Sequence, residues 1–452
     1  MHDLKHLSKK KRIHRLNILK KQDVAAPDFS APLKESRPER KKLRLALPVL
    51  ALLLAAYPIF NLLISAKTAL SSVSKGSTAA VKTDIYKELD NWRAFQLAAD
   101  MLPSSSFAQD RLSARLPDGG TVVYAIDEPL QRRVTRLMED FQVPYGAFVA
   151  IEPKTGRILA LASHSSTDPS WEKSSCFNLY PMASLFKIIT ATAALEQKKV
   201  SPDTVFPFNG RLTSENPKYW RVNPRGKNQE LPLAVAMGKS VNPVFGRLAS
   251  DVVGKDSLVS CAERFGFNQL LFPTPLITPS KAAIPQTDNE LKLMGAGLGR
   301  EVKISPLHAA AVMAAIANGG VMMSPSLVAE VSNPQGKAVY THKPQQIKRL
   351  VAPEVTGQLA RMLSTTVNSG TSRRAFHDRR GRPMLASVKI AAKTGSINGT
   401  DPAGHYSWFA AYAPMEDPQI ALVALVINQN KWRIKASNVG EKALEVFFKD
   451  PS

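Results

Sequence analysis

Ser184-Leu185-Phe186-Lys187 opens the run Ile188-Ile189-Thr190-Ala191-Thr192-Ala193-Ala194-Leu195. Over residues 184–195 Lys187 is the only charge, and apolar residues occupy every side of the helix that the run predicts. A helix that is apolar all round is buried. Ser184 and Lys187 are three apart and share one face at its first turn. A lone lysine on a buried helix is costly unless paired, and desolvation lowers its pKa toward that of a usable base. A serine beside it, at the positive end of the helix dipole, is then a candidate activated nucleophile.

Outward from this helix the predicted elements alternate. Residues 121–126 are β-rich and 129–141 read as a helix. Strands at 147–152 and 157–163 are joined by the hairpin turn Pro153-Lys154-Thr155-Gly156. Helices at 231–237 and 243–253 flank Ser240-Val241-Asn242. Ser305-Pro306 is a cap followed by a first helical position, and that helix ends at Gly319-Gly320. A helix at 353–367 and three strands at 387–392, 406–412 and 420–427 follow, with a last helix near 438–448. Helices in the middle and strands at both ends imply an α+β (αβα) fold, a mostly antiparallel central sheet covered by helices, with an all-α subdomain. No internal repeat is present.

The 452 residues suffice for one large domain with appendages, or two domains. Net charge is +23, unevenly spread: residues 1–44 hold 14 Lys/Arg against 5 Asp/Glu, a net of +9. The cluster Lys9-Lys10-Lys11-Arg12 alone could suggest a nucleic-acid patch. However, residues 45–66 are 22 positions without a charge, long enough to span a bilayer. The basic flank makes this an uncleaved, single-pass signal anchor with its N-terminus in the cytoplasm. The expected organisation is a basic cytoplasmic tail at 1–44, the anchor at 45–66, a linker at 67–118 and a domain at 119–452. The linker starts with a Ser/Ala/Lys-rich tether. Ile85, Leu89, Trp92, Phe95 and Met101 then recur at the spacing of an amphipathic helix, which packs on the domain or lies at the membrane. Cys176 and Cys261 have neither metal-site nor redox spacing; they form one disulfide or two separate buried thiols. No metal ligands and no cofactor motif are evident. Gly295-Ala296-Gly297-Leu298-Gly299 follows no β-rich run and reads as a tight turn, not a dinucleotide loop.

Serine acyl-enzymes carry S-x-x-K and K-T-G together with a middle S-x-N-like triplet. Each is short, and context must select among matches. S-x-x-K starts at Ser8, Ser72, Ser170 and Ser184, but only Ser184 begins a buried helix. K-T-G occurs at Lys154, in a hairpin turn, and at Lys393-Thr394-Gly395-Ser396, after the strand predicted at 387–392. Of the S-x-N matches, Ser214 sits among charges, Ser396 falls in the second K-T-G stretch, and Ser240-Val241-Asn242 lies between two apolar helical segments. At these residues the chain resembles the transpeptidase domain of the penicillin-binding proteins, the enzymes that cross-link bacterial peptidoglycan. The likeness runs from about Thr121 to the end. It includes Ala125-Ile126-Asp127, the hairpin around Lys154, Ala317-Asn318-Gly319-Gly320, Gly370-Thr371 and Ser407-Trp408-Phe409.

The resemblance implies a membrane-anchored D,D-transpeptidase of the cytoplasmic (inner) membrane, its catalytic domain on the outer side. Its substrates would be peptidoglycan stem peptides, its inhibitors β-lactams, and its further partners other cell-wall synthesis proteins, with no nucleic acid. Ser184 would attack the penultimate D-alanine carbonyl and Lys187 would take the serine proton. Ser240 would pass a proton to the leaving amine and Asn242 would bond the substrate amide. Lys393 would favour neutral Lys187 and attract the substrate carboxylate, which Thr394 and Ser396 would bind beside Gly395. Backbone N–H groups of Ser184 and Ser396 would form the oxyanion hole. Ser396 departs from the threonine common there in high-molecular-weight members but keeps a hydroxyl. About fifty residues separate the anchor from the domain, so no glycosyltransferase domain is expected. Two rivals use the same residues differently. A D,D-carboxypeptidase or serine β-lactamase would take water as acceptor, yet Glu263 lies in no lactamase-like acidic motif. A non-catalytic β-lactam sensor or wall scaffold would not need the full set of chemical residues. Arg373, Arg374, Arg379, Arg380 and Arg382 read as a solvated basic loop, and His405 as structural.

Overall fold

The structure, a computed structural model, describes residues 86, 88–108 and 111–449. The basic tail, the membrane anchor and the tether lie outside the described residues; among those described, no helix is long and apolar enough to cross a membrane. All of the elements that follow belong to one compact unit, Asp84–Ser452.

In chain order the chief elements are α1 (Asn91–Met101), β1 (Ser106–Ala108), β2 (Arg111–Arg115), β3 (Thr121–Tyr124), α2 (Glu128–Asp140), β4 (Tyr145–Ile151) and β5 (Ile158–His164). The mid-chain helices α3 (Lys187–Glu196), α4 (Leu233–Gly238) and α5 (Asn242–Arg247) come next. Then follow α6 (Pro306–Ala317), β6 (Val328–Ser332), β7 (Ala338–Thr341), α7 (Pro353–Asn368), β8 (Ala391–Thr400), β9 (Ala403–Ala413), β10 (Ile420–Asn428) and α8 (Ala436–Phe447).

The central sheet has the order β8-β9-β10-β4-β5 and every pairing is antiparallel. In β4, with the sequence Tyr-Gly-Ala-Phe-Val-Ala-Ile, all seven residues are buried. The strand alternation divides them. Ala147, Val149 and Ile151 join a core that includes Leu307, Ala310 and Ala314 of α6. Phe148 and Ala150 join a second core with Leu130 and Val134 of α2 and Val439 and Leu444 of α8. Helices on both faces remove the polar side that an antiparallel strand commonly shows, so β4 and β10 read as continuous apolar runs. The antiparallel, helix-covered sheet expected from the sequence is thus present.

Three expectations need correction. First, the strand placed at 387–392 is β8, Ala391–Thr400. Its pairing with β9 is unbroken from Ala391↔Tyr412 to Thr400↔Ala403, so Lys393-Thr394-Gly395-Ser396 lies within the strand and not after it. Second, the mid-chain region is not all-α. It carries the hairpin Val205–Phe208 with Gln229–Pro232, formed because Phe208 buries fully against the helices while Val205 faces solvent. Third, the folded unit starts before residue 119. Strands β1 and β2 extend a second antiparallel sheet, β1-β2-β3-β6-β7. Against this unit α1 buries Ala94, Phe95 and Ala98, and the Tyr124 hydroxyl donates to Ala98 O at 2.7 Å. The helix predicted in the linker therefore packs on the domain.

Cys176 and Cys261 are free and buried on different elements. Burial pushes each thiol up to about 12, so both stay protonated and behave as small apolar groups.

At Gly440, α8 packs tightly on the sheet: an added Cβ would lie 2.3 Å from the Phe409 ring of β9. Overpacking a filled core costs about 1–3 kcal/mol. Gly440→Val is expected to lower the thermal unfolding midpoint by several degrees; an unchanged midpoint in differential scanning calorimetry would show that α8 can slide on the sheet.

Candidate active site

Ser184 does not sit in the first turn of the α-helix. It lies in a 3-10 turn, Ala183–Phe186, that leads into α3 at Lys187. Ala183 has φ of 53°, in the left-handed region that an alanine adopts only under constraint from its surroundings. The constraint is visible on two sides. Gly297 (φ 71°) lies so close that a Cβ there would sit 2.3 Å from Ala183 O. Gly395 of β8 faces Ala183, where a Cβ would be 3.2 Å from the alanine's own. Trp408 of β9 anchors the preceding segment through Nε1–H to Pro181 O at 2.9 Å.

Lys187 is fully buried and makes no ion pair among the described residues. Its Nζ lies 2.8 Å from Asn242 Oδ1, 2.6 Å from Ala296 O and 2.7 Å from Ser184 Oγ. The first two atoms can only accept; the third can also donate. A neutral amine has two N–H groups and one lone pair. An ammonium would donate to all three; the neutral amine would donate to Asn242 and Ala296 and accept from the Ser184 hydroxyl. Burial first, then the charge of Lys393, hold Lys187 well below the ordinary lysine range. Burial and the neighbouring charge of Lys393 therefore favour a free amine beside the serine hydroxyl.

Lys393 projects from β8 and is also fully buried. Its Nζ donates to Ser240 Oγ at 2.9 Å and to Thr394 O at 2.7 Å. Burial pushes it down to about 7. Ser240, with φ of 57°, is a second non-glycine residue in the left-handed region, in the tight connection between α4 and α5 that aims it and Asn242 into the same cluster. The Thr394 hydroxyl meets the Thr371 hydroxyl at 2.5 Å. Ser396 is exposed on the same strand. The structure thus joins Ser184, Lys187 and Asn242 in one hydrogen-bonded set and Ser240, Lys393 and Thr394 in a second, with Gly395 packed against Ala183.

The discarded matches have ordinary surroundings. Ser170 bonds Asp168, Lys154 pairs with Asp417 at the surface, and Ser214 Oγ accepts from Trp220 Nε1. Ser8 and Ser72 lie outside the described residues. His405 bonds Asn398 and packs edge-on against Trp432, a structural arrangement as expected. Three parts of the site had not been singled out as site residues: the Ala296 carbonyl, Gly297 and Thr371. Residues 295–299 do form a tight turn, but one whose backbone completes the lysine's shell. No groups that could hold a metal ion occur among the described residues.

The family model for the penicillin binding protein transpeptidase domain matches residues 146–449. Peptidoglycan D,D-transpeptidase PbpA of Mycolicibacterium smegmatis is 31% identical over 353 residues, spanning 70% of this chain and 69% of that protein. Among solved structures, the imipenem acyl-enzyme of penicillin-binding protein A from M. tuberculosis superposes with a TM-score of 0.59 at 26% identity, covering 73% of this chain and 80% of that one. The D,D-transpeptidase domain of a peptidoglycan glycosyltransferase from Eggerthella lenta gives a TM-score of 0.62 at 27% identity, covering 78% and 90%. The ordered motifs, the fold and these likenesses converge: the chain belongs to the family of penicillin-binding protein transpeptidase domains.

Proposed function

We propose that this protein is a membrane-anchored peptidoglycan D,D-transpeptidase that acylates itself on Ser184. The observation that carries the proposal is the fully buried Lys187, held well below the ordinary lysine range by burial and Lys393, with its Nζ 2.7 Å from Ser184 Oγ. Lys187 Nζ takes the hydroxyl proton as Ser184 Oγ bonds to the carbonyl carbon of the penultimate D-alanine. Backbone N–H groups of Ser184 and Ser396 receive the oxyanion, a contribution of about 3–4 kcal/mol per donor in such sites. As the C–N bond breaks, Ser240, held by Lys393, relays a proton to the departing D-alanine amine. Asn242 keeps its Nδ2 for the substrate amide, because Oδ1 is already taken by Lys187. An amine of a second stem peptide then attacks the ester and restores Ser184. Thr394 and Ser396 bind the donor's terminal carboxylate.

An amine acceptor is favoured over water by what surrounds the serine. Fast hydrolysis of the acyl-enzyme needs a positioned base. Among the described residues, no carboxylate bonds Ser184, Lys187, Ser240 or Lys393, and Glu263 lies on the helix Lys255–Arg264, bonded to none of them. The relatives' names as D,D-transpeptidases and the imipenem adduct of one of them support the same chemistry. The apolar run at 45–66, with its basic flank, supports the placement of the catalytic domain outside the cytoplasmic membrane.

Mass spectrometry after penicillin addition is expected to find one adduct, on Ser184, that persists for many minutes, and none in Ser184→Ala. Release within seconds would replace the transpeptidase by a hydrolase.

The lysine pair predicts a pH signature. Lys187 works as the free amine, so acylation falls as pH drops through its lowered pKa. Replacing it by Met removes the base and is expected to slow acylation about 10²–10⁴-fold. Lys393 is a positive neighbour that lowers that pKa further. In Lys393→Gln the acid limb of the acylation profile should therefore move to higher pH; a limb that stays in place would show that the two lysines do not communicate.

A further inference from the structure

From Phe265 to Ser280 the chain runs 16 residues without a charge. Most of this stretch is one closed loop. Asn268 N–H donates to Ser280 O at 2.7 Å, and the Asn268 side chain bonds the Ala282 backbone through both of its polar atoms, at 2.9 and 3.0 Å. Phe267, Phe272 and Ile277 are buried beneath it. The Phe267 and Phe272 rings pack on His308, which is itself held between Ser280 Oγ and Phe265 O. A compact segment whose ends meet and whose own side chains fill its interior is an Ω-loop.

The outside of this loop is apolar too. Leu270 is 69% exposed, the most exposed large apolar side chain among the described residues, with Pro273, Pro275 and Pro279 also exposed. Lys348 Nζ donates to Gln269 Oε1 at 3.2 Å, and Lys281 directly follows the closure; no ion pair among the described residues includes either lysine. An apolar tip beside unpaired lysines has the composition of a contact with the boundary between acyl chains and anionic headgroups. The loop also lies where the chain enters the folded unit. The Phe272 ring centroid is 5.8 Å from that of Trp92 in the first turn of α1, and the Thr274 hydroxyl donates to Gln96 Oε1 at 2.7 Å. The 21 residues 67–87, between the apolar run at 45–66 and α1, span at most about 75 Å at full extension. A bilayer crossed by that run is thus presented to the loop at high effective concentration.

We propose that the loop 268–280 seats on the phospholipid surface, with Leu270 entering the headgroup–acyl boundary and Lys281 and Lys348 facing lipid phosphates. The proposal rests on the membrane-anchor reading of residues 45–66 and is independent of the chemistry at Ser184. A tether alone leaves a domain free to turn. A second attachment at the loop selects the side that faces the bilayer and sets the height of the catalytic domain above it. A lipid surface suits this tip better than a protein partner does. A stable protein interface buries about 800 Å² per side around aromatic and Arg anchors, whereas the three phenylalanines of this stretch are all buried and it carries no arginine.

The test uses the full chain in nanodiscs of phosphatidylglycerol and phosphatidylethanolamine. Cys176 and Cys261 are buried and stay protonated, so a nitroxide label goes selectively to an added surface cysteine. Gln269→Cys places the label beside Leu270 while keeping the leucine; Arg379→Cys, in the exposed basic loop, is the comparison. The accessibility of each label to oxygen relative to a water-soluble nickel chelate reads its depth. At Gln269→Cys this ratio is expected to exceed that at Arg379→Cys at least about threefold, as for a group a few ångströms inside the headgroup layer. Adding Leu270→Ser to Gln269→Cys should return the ratio to the Arg379→Cys value. Equal ratios at the two positions overturn the contact, as does a high ratio that survives Leu270→Ser. A label that is open to the chelate in nanodiscs but shielded in native membranes would assign the tip to a protein partner instead. A chain that elutes apart from the nanodiscs overturns the anchor and the contact with it, whereas a chain that co-elutes with an open Gln269→Cys label overturns the contact alone.

Discussion

A primary amine sealed from water, with two partners that can only accept and one that can donate, is the constraint around which this domain is organised. Among the described residues Lys187 has no counter-ion, and an unpaired ammonium at that depth would be strongly destabilising. The free-base form resolves the conflict and, on the proposed mechanism, is also what would activate Ser184. The groups that enforce this come from far along the chain: Asn242 is 55 residues from Lys187 and Ala296 is 109 residues away. The core that holds α3, α5 and the 295–299 turn together therefore keeps the amine dry, because loosening it would admit water and allow the amine to take up a proton.

The second lysine acts through the same medium. Lys393 bonds a different set of atoms, yet its charge bears on Lys187 because little solvent lies between them to screen it. The strand that carries it is clamped on one side by β9 and on the other by the turn holding Ser184, where Gly395 permits contact. The left-handed backbone at Ala183 and Ser240 belongs to the same arrangement: two strained positions, one preceding Ser184 and one at Ser240 itself, held by the packing around them.

Much of this was legible in the sequence. A buried helix with one lysine and a serine three residues before it, and an S-x-N triplet between apolar segments, identified Ser184, Lys187, Ser240 and Asn242. Of the two K-T-G stretches, the second places Lys393 beside Ser240, whereas Lys154 pairs with Asp417 at the surface, as a turn lysine does. Its position inside β8 was missed because Lys393, Thr394 and Ser396 interrupt the apolar pattern that marks a strand; the pairing with β9 supplies what hydropathy does not. The Ala296 carbonyl had no signal at all, since a backbone oxygen leaves no trace in residue identity. Gly297 carried a weak one, a turn glycine, without any indication of what the turn would touch. The early strands β1 and β2 were hidden for another reason: both are short and flanked by polar residues, and their stability comes from the sheet they join.

The position of β8 in the sheet order has one further consequence. It is the terminal strand, hydrogen-bonded to β9 alone, and it carries the site residues along the border that faces the Ser184 turn. An edge strand presents main-chain donors and acceptors to whatever extended segment lies beside it, and such pairing is indifferent to the guest's side chains. A guest held in this way is recognised by its backbone and chirality along its length.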